Sequence, residues 1–286
     1  MLYETPEAYL RAPRKAVALF GMSGLGKTTI ANMLRAGGQW FHYSVDYRIG
    51  TRYMGEHIAD NFKTEAMKVP LLRALLMTDS VYIASNITFD NLAPLSSYLG
   101  KPGDPAQGGI ALEEYVRRQR QHRRAEIAAM LDTVDFIERA EKLYGYPHFL
   151  CDTSGSLCEV VDPADPEDPV LSALSPHILF VQIRGTDEDA EELARRFDQA
   201  PKPMYYPEDY LRESWSAYVS SQNIPEEEVD PDAFIRWGFR RLARSRMPRY
   251  DAIAEHWGVT VTAREIERVE TAEDFDTLIA GAIAAR

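Results

Sequence analysis

Cysteine is scarce: Cys151 and Cys158 are the two in 286 residues, too few for a disulfide framework. They also lack the paired spacing of a zinc site, and Cys151 sits inside an apolar run, where a free thiol behaves as a small buried hydrophobe. Cationic residues are outnumbered, 32 Lys plus Arg against 44 Asp plus Glu, for a formal charge of −12. Such a field repels nucleic acid and anionic membrane, so any anionic ligand needs a local positive pocket. No apolar run approaches the roughly 20 residues that span a bilayer; the longest, such as ILFVQI at 178–183, are strand-sized. Residues 1–15, MLYETPEAYLRAPRK, lack the apolar centre of a signal peptide, so the expected setting is the cytoplasm. There is no internal repeat and no low-complexity tract.

What is present is an ordinary globular composition, 45% hydrophobic, with short apolar runs alternating with helix-forming segments. AVALF (16–20), WFHYSVD (40–46), PHFLCD (147–152) and ILFVQI (178–183) read as strands. Helices are expected over 28–35, 60–82, about 111–143 and near 187–198, with VYIAS (81–85) either a strand or the end of the helix before it. GKPGDPAQGG (100–109) and DPADPEDP (162–169) are too rich in Gly, Pro and Asp for a regular element. Apolar strands alternating with helices indicate an α/β fold, a parallel sheet with helices on both faces and its ligands beyond the strand C-termini.

Residues 21–29, Gly21-Met22-Ser23-Gly24-Leu25-Gly26-Lys27-Thr28-Thr29, match the phosphate-binding loop G-x-x-x-x-G-K-T, placed between a strand and a helix. The glycines let backbone N–H groups curl around a triphosphate at a helix N-terminus, and Lys27 adds a point charge on the β- and γ-phosphates. Thr28 is expected on Mg²⁺ and Thr29 on the α-phosphate, so ATP and magnesium are the expected cofactors. A second carboxylate belongs near the metal, and Asp152, closing the strand FLCD, is the best-placed candidate, the alternative being a cap on the following turn.

Four further pieces resemble the shikimate kinases, P-loop enzymes that phosphorylate a hydroxyl of a small anionic metabolite. Ser44-Val45-Asp46, followed by Ile49, Gly55, Ile58, Asp60 and Phe62, is similar to the family's D-x-D strand end and next helix. Arg123-Arg124-Ala125-Glu126 resembles its R-x-x-E motif. Ser154-Gly155-Ser156 stands where the family has three glycines, and Arg246-Met247-Pro248-Arg249-Tyr250 resembles R-x-P-x-Y. The resemblance implies a three-layer α/β/α P-loop NTPase fold in one domain over 1–286, with helical insertions at about 63–110 and 207–235. It implies that Lys27, Asp46 and Arg123 serve catalysis and that Asp46, Arg123, Gly155 and Arg246 meet the acceptor. Arg196 and Lys202 correspond to the lid over ATP. Ser44 in place of the first acid, and two serines in place of glycines, narrow and polarise the acceptor pocket and point to an acceptor other than shikimate.

The run VRRQRQHRR (116–124) spaces Arg117, Arg120 and Arg124 along one helix face, either toward an anionic ligand or as a solvated face paired with Glu113, Glu114 and Glu126. His42 and His57 flank Asp46 without metal spacing and are assigned no role. The aromatics of MYYPEDYLRESWSAY (204–218) either wall a pocket or, at helical spacing, pack a core. The expectation is an ATP-dependent kinase for a small anionic hydroxyl-bearing substrate. Its rivals are a nucleoside or nucleotide kinase, and an NTP-dependent regulator that contacts a protein partner through 63–110. Neither membrane nor nucleic acid is an expected partner.

Overall fold

The computed structural model describes residues 2–286. In chain order the elements are α1 (Pro6–Arg11), β1 (Ala16–Phe20), α2 (Lys27–Ala36), β2 (Trp40–Ser44), α3 (Val45–Arg48), α4 (Gly55–Ala66), α5 (Pro70–Met77), α6 (Ala93–Leu99), α7 (Leu112–Tyr144), β3 (His148–Asp152), α8 (Leu157–Val160), α9 (Leu171–Leu174), β4 (Leu179–Arg184), α10 (Asp187–Gln199), α11 (Glu208–Gln222), α12 (Pro231–Trp257), β5 (Gly258–Thr262), α13 (Ala263–Ile266) and α14 (Ala272–Ala284). All five strands are parallel and form one sheet in the order β2-β3-β1-β4-β5. Every residue of β1 is buried, as is β4 up to its last, Arg184. A strand covered on both faces cannot alternate polar and apolar residues, which is why these strands read as continuous apolar runs. The fold is therefore α/β, and no helix among the described residues is long and apolar enough to cross a membrane.

The chain forms two compact units. The first comprises Met1–Val45, Glu126–Ala200 and Arg236–Arg286 and holds the whole sheet; the second comprises Asp46–Ala125 and Pro201–Ile235. The stretches 63–110 and 207–235, expected as insertions, both fall in the second.

In the first unit α1 is tied to α14. Tyr9, fully buried, donates its hydroxyl to Asp276 Oδ1 at 2.8 Å, Lys15 pairs with the other oxygen of Asp276, and Trp40 meets Phe275 edge to face at 5.6 Å. Capping boxes open α10, α13 and α14, with Thr186, Thr262 and Thr271 exchanging hydrogen bonds with Asp189, Glu265 and Asp274.

The core of the second unit is aromatic: Trp215 and Tyr218 pack edge to face on Phe234, and His122 stacks on Tyr205 at 5.1 Å. Gln119 Oε1 accepts the Tyr206 backbone N–H at 3.0 Å, and Tyr115 donates to Met204 O at 2.8 Å. The aromatics of 204–218 at these positions pack a core rather than wall a pocket.

Two expectations are corrected. The helix foreseen over 60–82 is two, α4 and α5, because Pro70 has no N–H to continue α4 and instead occupies the first turn of α5. VYIAS (81–85) forms neither strand nor helix, and Val81 and Tyr82 are exposed; an apolar run becomes a strand only where a neighbouring strand offers its ladder.

Gly258 opens β5 where a Cβ would stand 2.3 Å from the Phe180 carbonyl oxygen of β4. Gly258→Ala is expected to lower unfolding free energy by about 1–3 kcal/mol, seen as a lower urea midpoint at unchanged m-value; a wild-type midpoint would contradict this close approach.

Candidate functional site

Between β1 and α2 the chain makes the turn that its glycines permit. Gly21, Gly24 and Gly26 have φ of +134°, +84° and +94°, and a Cβ on Gly21 would lie 2.5 Å from Ile183 O of β4. Gly26 is the N-cap of α2 and supplies no side-chain acceptor, so the first N–H groups of that helix face outward as donors for an anion. Lys27 is buried, its Nζ donating to Gly21 O at 2.8 Å and Met22 O at 2.9 Å. Ser23, Gly24, Thr28 and Thr29 are exposed along the same turn.

Parallel pairing of β1 with β3 sets Leu19 opposite Asp152, and pairing of β2 with β3 sets Ser44 opposite the same residue. Asp152 thus stands at the sheet's C-terminal edge beside the first turn of α2. Thr28 Oγ1 donates to Asp152 Oδ2 at 2.8 Å. A hydroxyl and a carboxylate side by side are hard oxygen ligands of the kind Mg²⁺ takes together with phosphate oxygens and water, so these residues fit that ion. His42 Nε2 lies 3.9 Å from the same carboxylate oxygen, both side chains being buried. The sequence reading assigned His42 no role; the signal that reaches it is the alternation along β2, which puts His42 and Ser44 on one face. No group of three or more His, Cys, Asp or Glu suited to a metal exists among the described residues.

The loop after β3 is anchored at each residue. Thr153 Oγ1 donates to Leu19 O at 2.9 Å, Ser156 Oγ donates to Glu126 Oε2 at 2.7 Å, and Ser154 Oγ donates to Glu126 Oε1. Glu126, at 0% exposure, is thus a buried carboxylate served by hydroxyls, the role left open by serines in place of glycines. A Cβ on Gly155 would stand 2.6 Å from Ser23 Oγ, so this residue lies directly beside the glycine turn.

Arg246 reaches the same place from α12. Its Nε donates to Glu159 Oε1 at 3.1 Å and its Nη1 to Gly155 O at 3.1 Å, while Tyr250 also donates to Gly155 O. Burial works against the Arg246 charge, but its neighbours Tyr250, Cys158 and Glu159 more than offset that and hold the guanidinium protonated. Arg249 pairs with Glu159 as well. The arginine expected on a substrate anion is thus enclosed in an ion pair that clamps the Ser154–Ser156 turn. Burial pushes the Cys158 thiol beside it up to about 12, and Cys151 is likewise raised, so both are inert.

The arginines of α7 divide. Arg117 and Arg118 hold the Glu114 carboxyl down at about 2, the Arg117 hydrogen bond being the larger cause; Arg120 pairs with Glu208, and Arg212 joins Glu113 to Glu208. Arg123 and Arg124 are exposed and form no ion pair among the described residues. Asp46, half-buried at the start of α3, belongs with Arg123 and the exposed Lys202 to the second unit; Lys27, Thr28, Asp152, Gly155, Arg196 and Arg246 belong to the first.

Leu193 of α10 lies 3.5 Å from the Cβ position of Gly24, so α10 packs on the glycine turn. A groove of about 1170 Å³ runs between α10 and α12, with Glu191, Arg195, Arg240, Arg244 and Met247 on its walls. Met247 also borders a small hollow beside Met22 and Leu25. Arg195 and Arg196 pair with Glu192 on α10.

Compared with protein-family models, with curated proteins and with solved structures, the chain gives no match.

Replacing Arg246 with methionine strips Glu159 of one of its two arginines while leaving it buried. Arg246→Met is expected to cost about 3 kcal/mol of unfolding free energy, the low end for a broken buried pair because Arg249 remains. Wild-type stability in chemical denaturation would instead leave Arg246 free to serve a ligand.

Proposed function

We propose that this chain is a P-loop kinase that binds ATP with Mg²⁺ at Gly21–Thr29 and transfers the γ-phosphoryl group to a hydroxyl of a small anionic metabolite. The observation that carries the reading is the Thr28–Asp152 hydrogen bond of 2.8 Å at the mouth of a turn whose three glycines hold positive φ. Magnesium, when bound, neutralises charge on the β- and γ-phosphates. Around it the chain's own groups act electrostatically: backbone N–H groups of the turn orient the phosphates, and Lys27 exchanges its carbonyl partners Gly21 and Met22 for phosphate oxygens. Thr28 and Asp152 would hold the ion, with Asp152 kept in place by strand register rather than by a flexible loop. The assignment of Arg196 and Lys202 to a lid over ATP rests on the resemblance to shikimate kinases, and Arg196 pairs with Glu192.

On the acceptor side the assignments of Asp46, to orient or deprotonate the hydroxyl, and of Arg123, to hold the anion, rest on the resemblance to shikimate kinases. Free thiols at both cysteines agree with a cytoplasmic setting. A second reading, an NTP-dependent regulator with slow hydrolysis, is favoured by one observation: Arg117, Arg118, Arg120 and Arg246 are already satisfied by carboxylates and leave fewer cations for an acceptor.

ATP turnover against a panel of hydroxy acids, sugars, nucleosides and nucleotides separates these readings. Stimulation by an anionic hydroxy compound supports the proposal, stimulation by nucleosides moves the acceptor class, and consumption that no acceptor stimulates favours the regulator. Lys27→Ala is expected to lower turnover by at least about 100-fold, on the order of one lost transition-state contact. Wild-type turnover in that variant would remove the loop from the chemistry.

A further inference from the structure

The helix α5 does not bury a single residue, although its sequence, PLLRALLM, is mostly apolar. Among the described residues, Leu71, Met77 and Tyr82 are 68%, 71% and 88% exposed, and Val69, Leu72 and Val81 are exposed beside them. Apolar surface of this kind, on the order of 500 Å² per copy, is at the upper end of what a monomer exposes, a size at which the patch is often functional. A helix of eight residues is also too short to hold in water on propensity alone and depends on an apolar face being packed.

The occupant can be argued from charge. Residues 69–89, VPLLRALLMTDSVYIASNITF, contain one cation, Arg73, and one anion, Asp79, on a chain whose formal charge is −12. This neutral, apolar strip is where two acidic chains can meet without repulsion. Arg73 and Asp79 are exposed, and neither forms an ion pair among the described residues. They lie three residues to either side of Leu76, so a two-fold axis passing near Leu76 sets Arg73 of each copy against Asp79 of the other. Self-complementarity of this sort is what a two-fold interface requires. A lipid surface fits less well, because an interfacial helix needs a polar face rich in Lys and Arg, and α5 offers Arg73 alone.

We infer that α5 and the segment after it, Val69–Ile83, form the two-fold interface through which two copies of this chain associate, with reciprocal Arg73–Asp79 pairs on either side of its axis. Two such strips with their surroundings approach the ~1,200–2,000 Å² that specific dimers bury. The inference does not rest on the proposed kinase activity.

Sedimentation equilibrium of the full chain over roughly 1–100 µM tests it. The wild type is expected to sediment as a dimer. Leu71→Glu should raise the dissociation constant at least tenfold while the chain stays folded by circular dichroism, since Leu71 is exposed in the single chain. Arg73→Asp and Asp79→Lys should each weaken the dimer about tenfold, and the double reversal should restore it to within about threefold. A monomer throughout, a dimer that Leu71→Glu leaves intact, or charge reversals that do not rescue one another would each overturn the interface. So would binding of a monomeric chain to anionic phospholipid vesicles that Leu71→Glu abolishes.

Discussion

The pairing of β1 with β3 is the constraint on which the rest of the site depends. Because the strands are parallel and Leu19 lies opposite Asp152, the loop leaving β1 and the acid closing β3 end at the same edge of the sheet. Only there can the hydroxyl of Thr28, on the first turn of α2, reach the Asp152 carboxylate. A sheet slipped by one residue would turn the acid to the opposite face, since side chains alternate along a strand.

From this edge the buried charges are arranged so that each has a partner of its own. Glu126 is met by the hydroxyls of Ser154 and Ser156, and Glu159 by the guanidinium groups of Arg246 and Arg249. An unpaired charge in such surroundings costs several kcal/mol, so these networks fix the Ser154–Ser156 turn as firmly as packing does. Gly155, whose carbonyl receives both Arg246 and Tyr250, is thereby pressed against Ser23 of the glycine turn. The Ser154–Ser156 turn is thus held from α12, far along the chain, through the Gly155 carbonyl.

Much of the first unit was legible because its signals are local. Continuous apolar runs marked β1 to β4, a long polar run marked α7, and the G-x-x-x-x-G-K-T spacing marked the turn before α2. The position of Asp152 was legible for a related reason: FLCD is an apolar run closing on a carboxylate, and β3 ends there. What could not be read depends on partners distant in sequence. Nothing near Arg246 says that Glu159 waits for it in the fold, and nothing near Arg120 announces Glu208, so cations that looked available for ligands proved to be spoken for. VYIAS has the composition of a strand and fails to become one because no neighbouring strand is offered to it. The weak point of local reading is thus the same in all three cases: composition reports what a segment can do, while the partner decides what it does.

The central claim is that Thr28 and Asp152 together make a magnesium site for a bound triphosphate. Calorimetric titration of ATP with and without Mg²⁺, into the wild type and into Asp152→Asn, tests it most directly. The asparagine can still accept the Thr28 hydrogen bond, so the fold should hold. The account predicts that the wild type binds ATP more tightly with Mg²⁺ and that Asp152→Asn loses this dependence, by at least tenfold in affinity. Equal affinity for ATP in the two proteins, or no dependence on Mg²⁺ in either, would contradict it.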